Sequence, residues 1–341
     1  MSTGAQPPRL HVVSGKGGTG KTTVAAALAL ALAGQGRRTL LCEVEGRQGI
    51  AQLFDVPQLP YAERRIATAP GGGEVFALAV EPKAALLEYL ELFYHLGRAG
   101  KVLDKLGAVD FATTIAPGLR DVLLTGKVYE AVRRRRSGKS GPYLYDAVVL
   151  DAPPTGRIGT FLNVNSEVAD LTKVGPISQQ STSIMSVLRS PTTVVHLVTL
   201  LEEMPVQETE DAVKELSGNG LRLGAVVLNQ MRPPLLSEEA MAAATRGRLR
   251  VGAVNEALAA AGLAGRPGGK RYARGLIDEA GDHARRLRLE AAQRDVLDGL
   301  GLPLIELPAL SGGIDQGALY EFAALLARSD RIAGITTGGA K

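Results

Sequence analysis

Ten residues near the start of the chain, SGKGGTGKTT from Ser14 to Thr23, limit the possible folds more than any other stretch. They stand between the apolar run LHVV (10–13) and the Ala/Leu stretch VAAALALALA (24–33). Gly15 to Thr22 fits G-x-x-x-x-G-K-[ST], with a β-type run before it and a helix-type run after it. Gly15, Gly17, Gly18 and Gly20 let the backbone bend so that successive N–H groups face one anion, and the following helix adds its positive end. In that arrangement Lys21 reaches the β- and γ-phosphates of a nucleoside triphosphate and the Thr22 hydroxyl ligates Mg²⁺, while Thr19 and Thr23 belong to the same phosphate-binding loop. Such a loop needs one lysine. This one carries a second, Lys16, which has to be explained separately.

Six further apolar runs follow: TLLCEV (39–44), VFALAV (75–80), DAVVLD (146–151), TVVHLVT (193–199), GAVVLN (224–229) and PLIEL (303–307). They are nearly continuous rather than alternating, which suits strands buried on both faces of a parallel sheet. Helix-like segments separate most of them, so the expected class is α/β: the doubly wound, mostly parallel sheet of a P-loop NTPase with helical insertions. The expected division is a nucleotide-binding core at 9–80, 143–232 and 302–330, a helical insertion at 81–140, and a helical and loop insertion at 233–301 with a GRPGGKR break at 265–271. In the first insertion Leu86, Leu87, Leu90, Phe93 and Tyr94 recur at helical spacing, with Glu88 and Glu91 on the opposite side. They read as packing within the insertion or as a groove for an apolar client. The run RRRRSGKSGP (133–142) reads as a solvated loop.

Composition excludes several function classes. The net charge of +4 is mild and both signs are interspersed, so no nucleic-acid partner is expected. Cys42 is the only cysteine, which rules out an intrachain disulfide or a thiolate metal cluster, and no zinc is expected. The four histidines show no ligand spacing. There is no secretory signal pattern, and the apolar run 24–33 is half the length of a membrane span, so the expected location is the cytoplasm.

A phosphate site of this kind needs an acid at the end of a second strand to hold the water shell of Mg²⁺. Asp151 ends YDAVVLD and is followed at once by APPTG, whose Gly156 can offer a turn N–H to the γ-phosphate. Glu43 and Glu45 close the run TLLCEVEG, where a carboxylate would position the attacking water. The alternative for both is a surface acid at a strand end, and it is the stronger for Glu43.

Taken together, KGGTGKT with its early lysine, the acidic turn after the second strand and DAPPTG after a later one resemble the ArsA-like ATPases. This group includes the arsenite-pump and tail-anchored-protein targeting ATPases, within the deviant Walker A class. LLCEVEGRQGIAQLF (40–54) is similar to the family's switch I segment and DAPPTGRIGTFL (151–162) to its switch II. APGLRD (116–121), QETEDAVKEL (207–216), VVLNQ (226–230) and LIELPALSGGIDQGALYEF (304–322) add weaker matches, and EVEGRQGIAQLFDVP resembles an actinobacterial branch described as anion-transporter ATPases. The resemblance implies ATP and Mg²⁺ as cofactors, Asn229 on the adenine edge, Pro308 flanking the base, and Lys16 reaching across a face-to-face dimer to the partner's phosphates. It implies a homodimer, or a heterodimer with an ArsA-like paralogue, and a client or membrane-associated partner protein. The family's switch I aspartate falls on Glu45, the histidine of that motif on Gln48, and the switch II histidine on Arg157, so hydrolysis is expected to be slow or partner-dependent. Two other readings are a soluble energising subunit of an anion or metalloid exporter, which about three thiolates would have to serve, and a partitioning or positioning ATPase, which needs a basic patch or a C-terminal amphipathic helix.

Overall fold

All seven apolar runs lie on strands of one sheet in the computed structural model, which describes residues 7–94, 117–138, 140–171, 176–263 and 269–329. The strands are β1 (Leu10–Gly15), β2 (Thr39–Glu43), β3 (Arg64–Thr68), β4 (Glu74–Ala79), β5 (Ala147–Asp151), β6 (Thr193–Thr199), β7 (Leu223–Met231) and β8 (Leu304–Pro308). Their order is β3-β4-β2-β5-β1-β6-β7-β8, parallel throughout except for the antiparallel pair β3–β4. The residues of β1, β2, β5 and β6 are all buried, which is why their sequences are apolar without alternation. The strand absent from the sequence reading is β3, RRIAT, which has no buried residue. Its two arginines lie on the open edge of the sheet, where charge discourages pairing with another chain.

Helix α1 (Lys21–Gly34) starts at the phosphate loop and is buried from Val24 to Ala33 on every side. Its Leu28, Leu30 and Leu32 share one apolar cluster with Val13 and Val149 of the sheet and with Leu319, Phe322 and Leu326 of the last helix. Burying a leucine fully contributes roughly 1.5–3 kcal/mol, so this sandwich anchors the loop firmly. On the same face lies the short α2 (Gly49–Leu53), whose Ile50 and Ala51 join that cluster.

Helices α3 (Pro82–Tyr94), α4 (Pro117–Arg133), α5 (Thr155–Leu171), α6 (Pro176–Leu188) and α7 (Glu203–Gly218) follow in chain order. Leu124, Phe161, Ile184 and Leu216 of α4 to α7 bury themselves with Val12, Leu150 and Leu197 in a second cluster on the opposite face. Glu88 of α3 departs from the expected outward orientation: it accepts hydrogen bonds from Tyr61 and, at 2.8 and 2.9 Å, from Lys127 of α4. Ala85, one turn before Glu88 on the same face of α3, is buried in the cluster against which Tyr61 packs. Leu90, Phe93 and Tyr94, on which the groove reading rests, have side chains outside the described residues.

The arginine run is not a plain solvated loop. Arg134 pairs with Glu130 and, at 2.5 Å, with Glu63, while the Arg135 guanidinium lies 4.1 Å from the centre of the Tyr143 ring. Arg133 lies 5.2 Å from the centre of the Tyr129 ring, so nearby carboxylates and aromatic rings hold three of the four charges against the fold. Helices α8 (Glu238–Thr245), α9 (Val251–Ala260) and α10 (Gly269–Asp298) form the second insertion, and part of the expected break at 265–271 lies outside the described residues. The last helix, α11 (Gln316–Arg328), follows β8. Two histidines far apart in sequence meet in the core: His11 of β1 and His196 of β6 stack with ring centres 5.5 Å apart. His196 Nδ1 accepts the Ala225 N–H, so its Nε2–H is left to donate to His11 Nδ1 at 3.3 Å. Burial keeps both rings neutral, pushing His196 down to about 4. Among the described residues no helix is long and apolar enough to cross a membrane.

Candidate functional site

β1 is central in the sheet, flanked by β5 and β6, and its carboxyl end opens into the glycine loop. Two glycines there admit no side chain. A Cβ on Gly15 would lie 2.1 Å from the Val198 carbonyl of β6, and one on Gly20 would lie 2.3 Å from Asn229 Nδ2. Gly20 also has φ of 90°, the left-handed region that favours glycine. Gly17 and Gly18 form the exposed tip, closed by Thr19, whose hydroxyl donates to the Lys16 carbonyl at 2.8 Å. No side chain caps the amino end of α1, which leaves its first N–H groups directed into the loop.

Lys21 is buried at the first position of α1. Burial lowers its pKa, and the carboxylates of Asp151 and Glu45 oppose that effect by favouring the ammonium. Thr22 Oγ1 donates to Asp151 Oδ2 at 2.7 Å. Asp151 is brought there because β5 pairs in register with both neighbours, Asp151 opposite Val13 of β1 and opposite Glu43 of β2. Its carboxyl is pushed up to about 6, first by burial and further by Glu43 and Glu45, against the Thr22 hydrogen bond and the Lys21 charge. A hydroxyl and a carboxylate converging beside a buried ammonium are hard oxygen donors, and they fit Mg²⁺ bound with a phosphate. Thr23, next on α1, is half-buried.

The segment after β2 lies against this pair: a Cβ on Gly49 would come within 3.1 Å of Thr22 Cγ2. Glu43 is not a surface acid. It is buried, and its carboxylate accepts the Gly49 and Ile50 N–H groups at 3.4 Å each. Glu45 is the more accessible acid, with Arg47 at 3.3 Å and Arg157 at 3.7 Å. Gln48 turns its amide away to the backbone of Leu59, donating to the carbonyl and accepting from the N–H at 2.8 Å.

The segment after β5 is tied to the loop through Ser14, whose hydroxyl donates to the Pro153 carbonyl at 2.7 Å. Gly156 is not in a turn: Pro153 and Pro154 make the bend, and Gly156 is the second residue of α5, where its N–H is one of the four without an intrahelical partner. The next residue, Arg157, spans from Glu45 to Asp121 of α4, 3.5 Å away. Asn229 ends the buried part of β7 and donates to the Thr19 carbonyl at 2.8 Å. Pro308, at the exposed end of β8, pairs with Met231 beside it.

Lys16 goes elsewhere. Its ammonium is paired with Glu208 of α7, whose second oxygen accepts the Thr155 hydroxyl at 2.7 Å. The sequence reading quoted Glu208 inside QETEDAVKEL without giving it a site role. No local pattern joins two residues 192 positions apart, and the one available signal was an acid early in a helix that follows a central strand.

Residues 9–191 match the family described as anion-transporting ATPase. The chain is 52% identical over 320 residues to the ATPase BagA of Mycobacterium tuberculosis, covering 94% of this chain and 93% of that one. It is 26% identical over 248 residues to the arsenical pump-driving ATPase of Escherichia coli, covering 67% of this chain and 40% of the relative. An arsenical pump-driving ATPase of Acidiphilium multivorum is 27% identical over 260 residues, with 70% and 42% covered.

Proposed function

Since the chain belongs to the anion-transporting ATPase family and hydrolyses ATP, we propose that it is a Mg²⁺-ATP-dependent switch of two subunits that binds a client or partner protein through its insertions, residues 81–140 and 233–301. The observation that carries this reading is the divergence of the two loop lysines. Lys21 faces the carboxylates of the phosphate site, whereas Lys16 is drawn off to Glu208. A second cation turned away from its own site is available for charge in another subunit, as an arginine finger is.

In this reading Lys21 and the loop N–H groups hold the β- and γ-phosphates, and the Gly156 N–H adds a donor to the γ-phosphate. Thr22 and Asp151 would hold Mg²⁺. The ion supplies neutralisation of charge on the phosphate oxygens. Asn229 and Pro308 receive the adenine. Glu45 orients the attacking water, and Arg157 links it to Asp121 of α4 in the first insertion, a route from client to hydrolysis. The partner subunit is a second copy or a paralogue. Energising a metalloid exporter, the role named for the Escherichia coli relative, finds no three-thiolate site in this chain: Cys42 is its one cysteine, buried, with its thiol pushed up to about 12.

Two experiments test the reading. Glu45→Gln keeps size and hydrogen bonding, so turnover is expected to fall ~10²-fold with ATP affinity unchanged; a wild-type rate would remove Glu45 from hydrolysis. Lys16→Ala and Lys21→Ala subunits are each expected to be inactive, and their mixture to regain activity. The first binds ATP and the second still offers its Lys16. Mixed dimers without activity would show that Lys16 does not act between subunits.

A further inference from the structure

We propose that Glu208 is a positioning residue that holds Lys16 inside its own subunit and releases it when two subunits close; this rests on the two-subunit reading above. Lys16 sits beside the exposed glycine tip of the loop, on a long flexible side chain that would otherwise sample solvent widely. Instead its ammonium meets one Glu208 oxygen, and the two side chains are each 31% exposed. That pairing is the main reason the Glu208 carboxyl lies below the usual range, with the Thr155 hydroxyl also favouring the ionised form. The carboxylate is therefore charged throughout the neutral range.

The second Glu208 oxygen gives the contact its meaning. Thr155 is buried, opens α5, and stands four residues after Asp151 in the segment tied to the loop by Ser14. Glu208 thus joins the exposed lysine to the segment beside the metal-facing acid. Any displacement of residues 152–155 moves one of its two partners. Lys16 cannot serve a neighbouring subunit and Glu208 at once, so closure gives up this ion pair in every subunit that donates its lysine. A partly exposed pair is worth ~2–5-fold in an equilibrium constant. A homodimer surrenders two, so the contact weakens closure by ~4–25-fold.

The test is the dimer dissociation constant of the full-length chain with Mg²⁺ and a non-hydrolysable ATP analogue, measured by sedimentation. Glu208→Gln is expected to tighten the dimer ~4–25-fold, the reverse of what loss of a stabilising contact within the interface would give. In a Lys16→Ala background the same substitution should change nothing, because the partner it releases is gone. Exposed Glu203 on the same helix serves as control, Glu203→Gln leaving the constant unaltered. Thr155→Val removes the other partner and should shift the dimer the same way by a smaller factor, which keeps the test open if Glu208→Gln folds poorly. Unchanged or weaker association in both variants, with the wild type dimerising, would overturn the proposal and leave the two-subunit reading intact. A wild-type chain that stays monomeric with the analogue would overturn both.

Discussion

Lys21→Ala is expected to lose measurable ATP binding in calorimetry, the largest single effect anticipated for this chain. Lys21 is buried at the first position of α1, where burial lowers its pKa and Asp151 and Glu45 favour the ammonium against that effect. Its removal takes away the cation held inside the site, while the carboxylates of Asp151, Glu43 and Glu45 remain to repel a polyphosphate. Truncating one partner of a buried, hydrogen-bonded charge pair costs about 2–5 kcal/mol, which is ~30- to several-thousand-fold in Kd. Lys16 is directed away from this site, toward Glu208. Thermal unfolding supplies a second readout: ATP should raise the wild-type midpoint and leave that of the variant where it was. Wild-type affinity in a folded Lys21→Ala chain would remove the phosphate-loop assignment.

Asp151→Asn is expected to bind nucleotide but to lose the Mg²⁺ dependence of its turnover, with a residual rate near background. The asparagine keeps the hydrogen bond that Thr22 donates at 2.7 Å, so the local fold should persist without the charge. The free protein adds a signature. Burial and two neighbouring acids raise the Asp151 carboxyl to about 6, above its unfolded value. Ionising it therefore opposes folding: its favourable contribution is complete below the unfolded pKa and is lost as pH rises through about 6. Above that pH the metal-free asparagine variant should be the more stable by ~1–3 kcal/mol, while below pH 4 the two should converge. Mg²⁺ binding to the wild type should weaken as pH falls through about 6, because the neutral acid is a poor ligand. Equal stability and unchanged Mg²⁺-dependent turnover would show that the metal-facing acid is another residue.

The parts of this molecule that could be read from sequence are those whose cause is local. Strands buried on both faces must be apolar at every position, so β1, β2, β5 and β6 announce themselves, whereas RRIAT of β3 obeys the rules of an edge and gives no such signal. The strand–loop–helix around Gly15 to Thr22 is legible because the spacing of its glycines and Lys21 is a local pattern. Asp151 is legible because a strand-ending acid next to such a loop has few other uses, and the fold does set it against Thr22. The partners of the remaining charges were not legible. Glu208 with Lys16, Arg157 with Asp121, and His11 with His196 are pairs made by strand order and helix packing. The burial of Glu43 was not legible for a related reason: two neighbouring strands bury it, and neither adjoins it in the chain.

The sandwiching of α1 ties the phosphate loop to a distant part of the chain. One side of that helix is covered by α11, whose first residue, Gln316, comes 295 positions after Lys21. Leu28, Leu30 and Leu32 share one apolar cluster with Leu319, Phe322 and Leu326 of α11, and α11 is made long after α1. Until α11 is made, α1 lacks one part of the cover that buries its alanine- and leucine-rich surface. The helix that carries the phosphate loop thus depends for part of its burial on a segment remote from it in sequence.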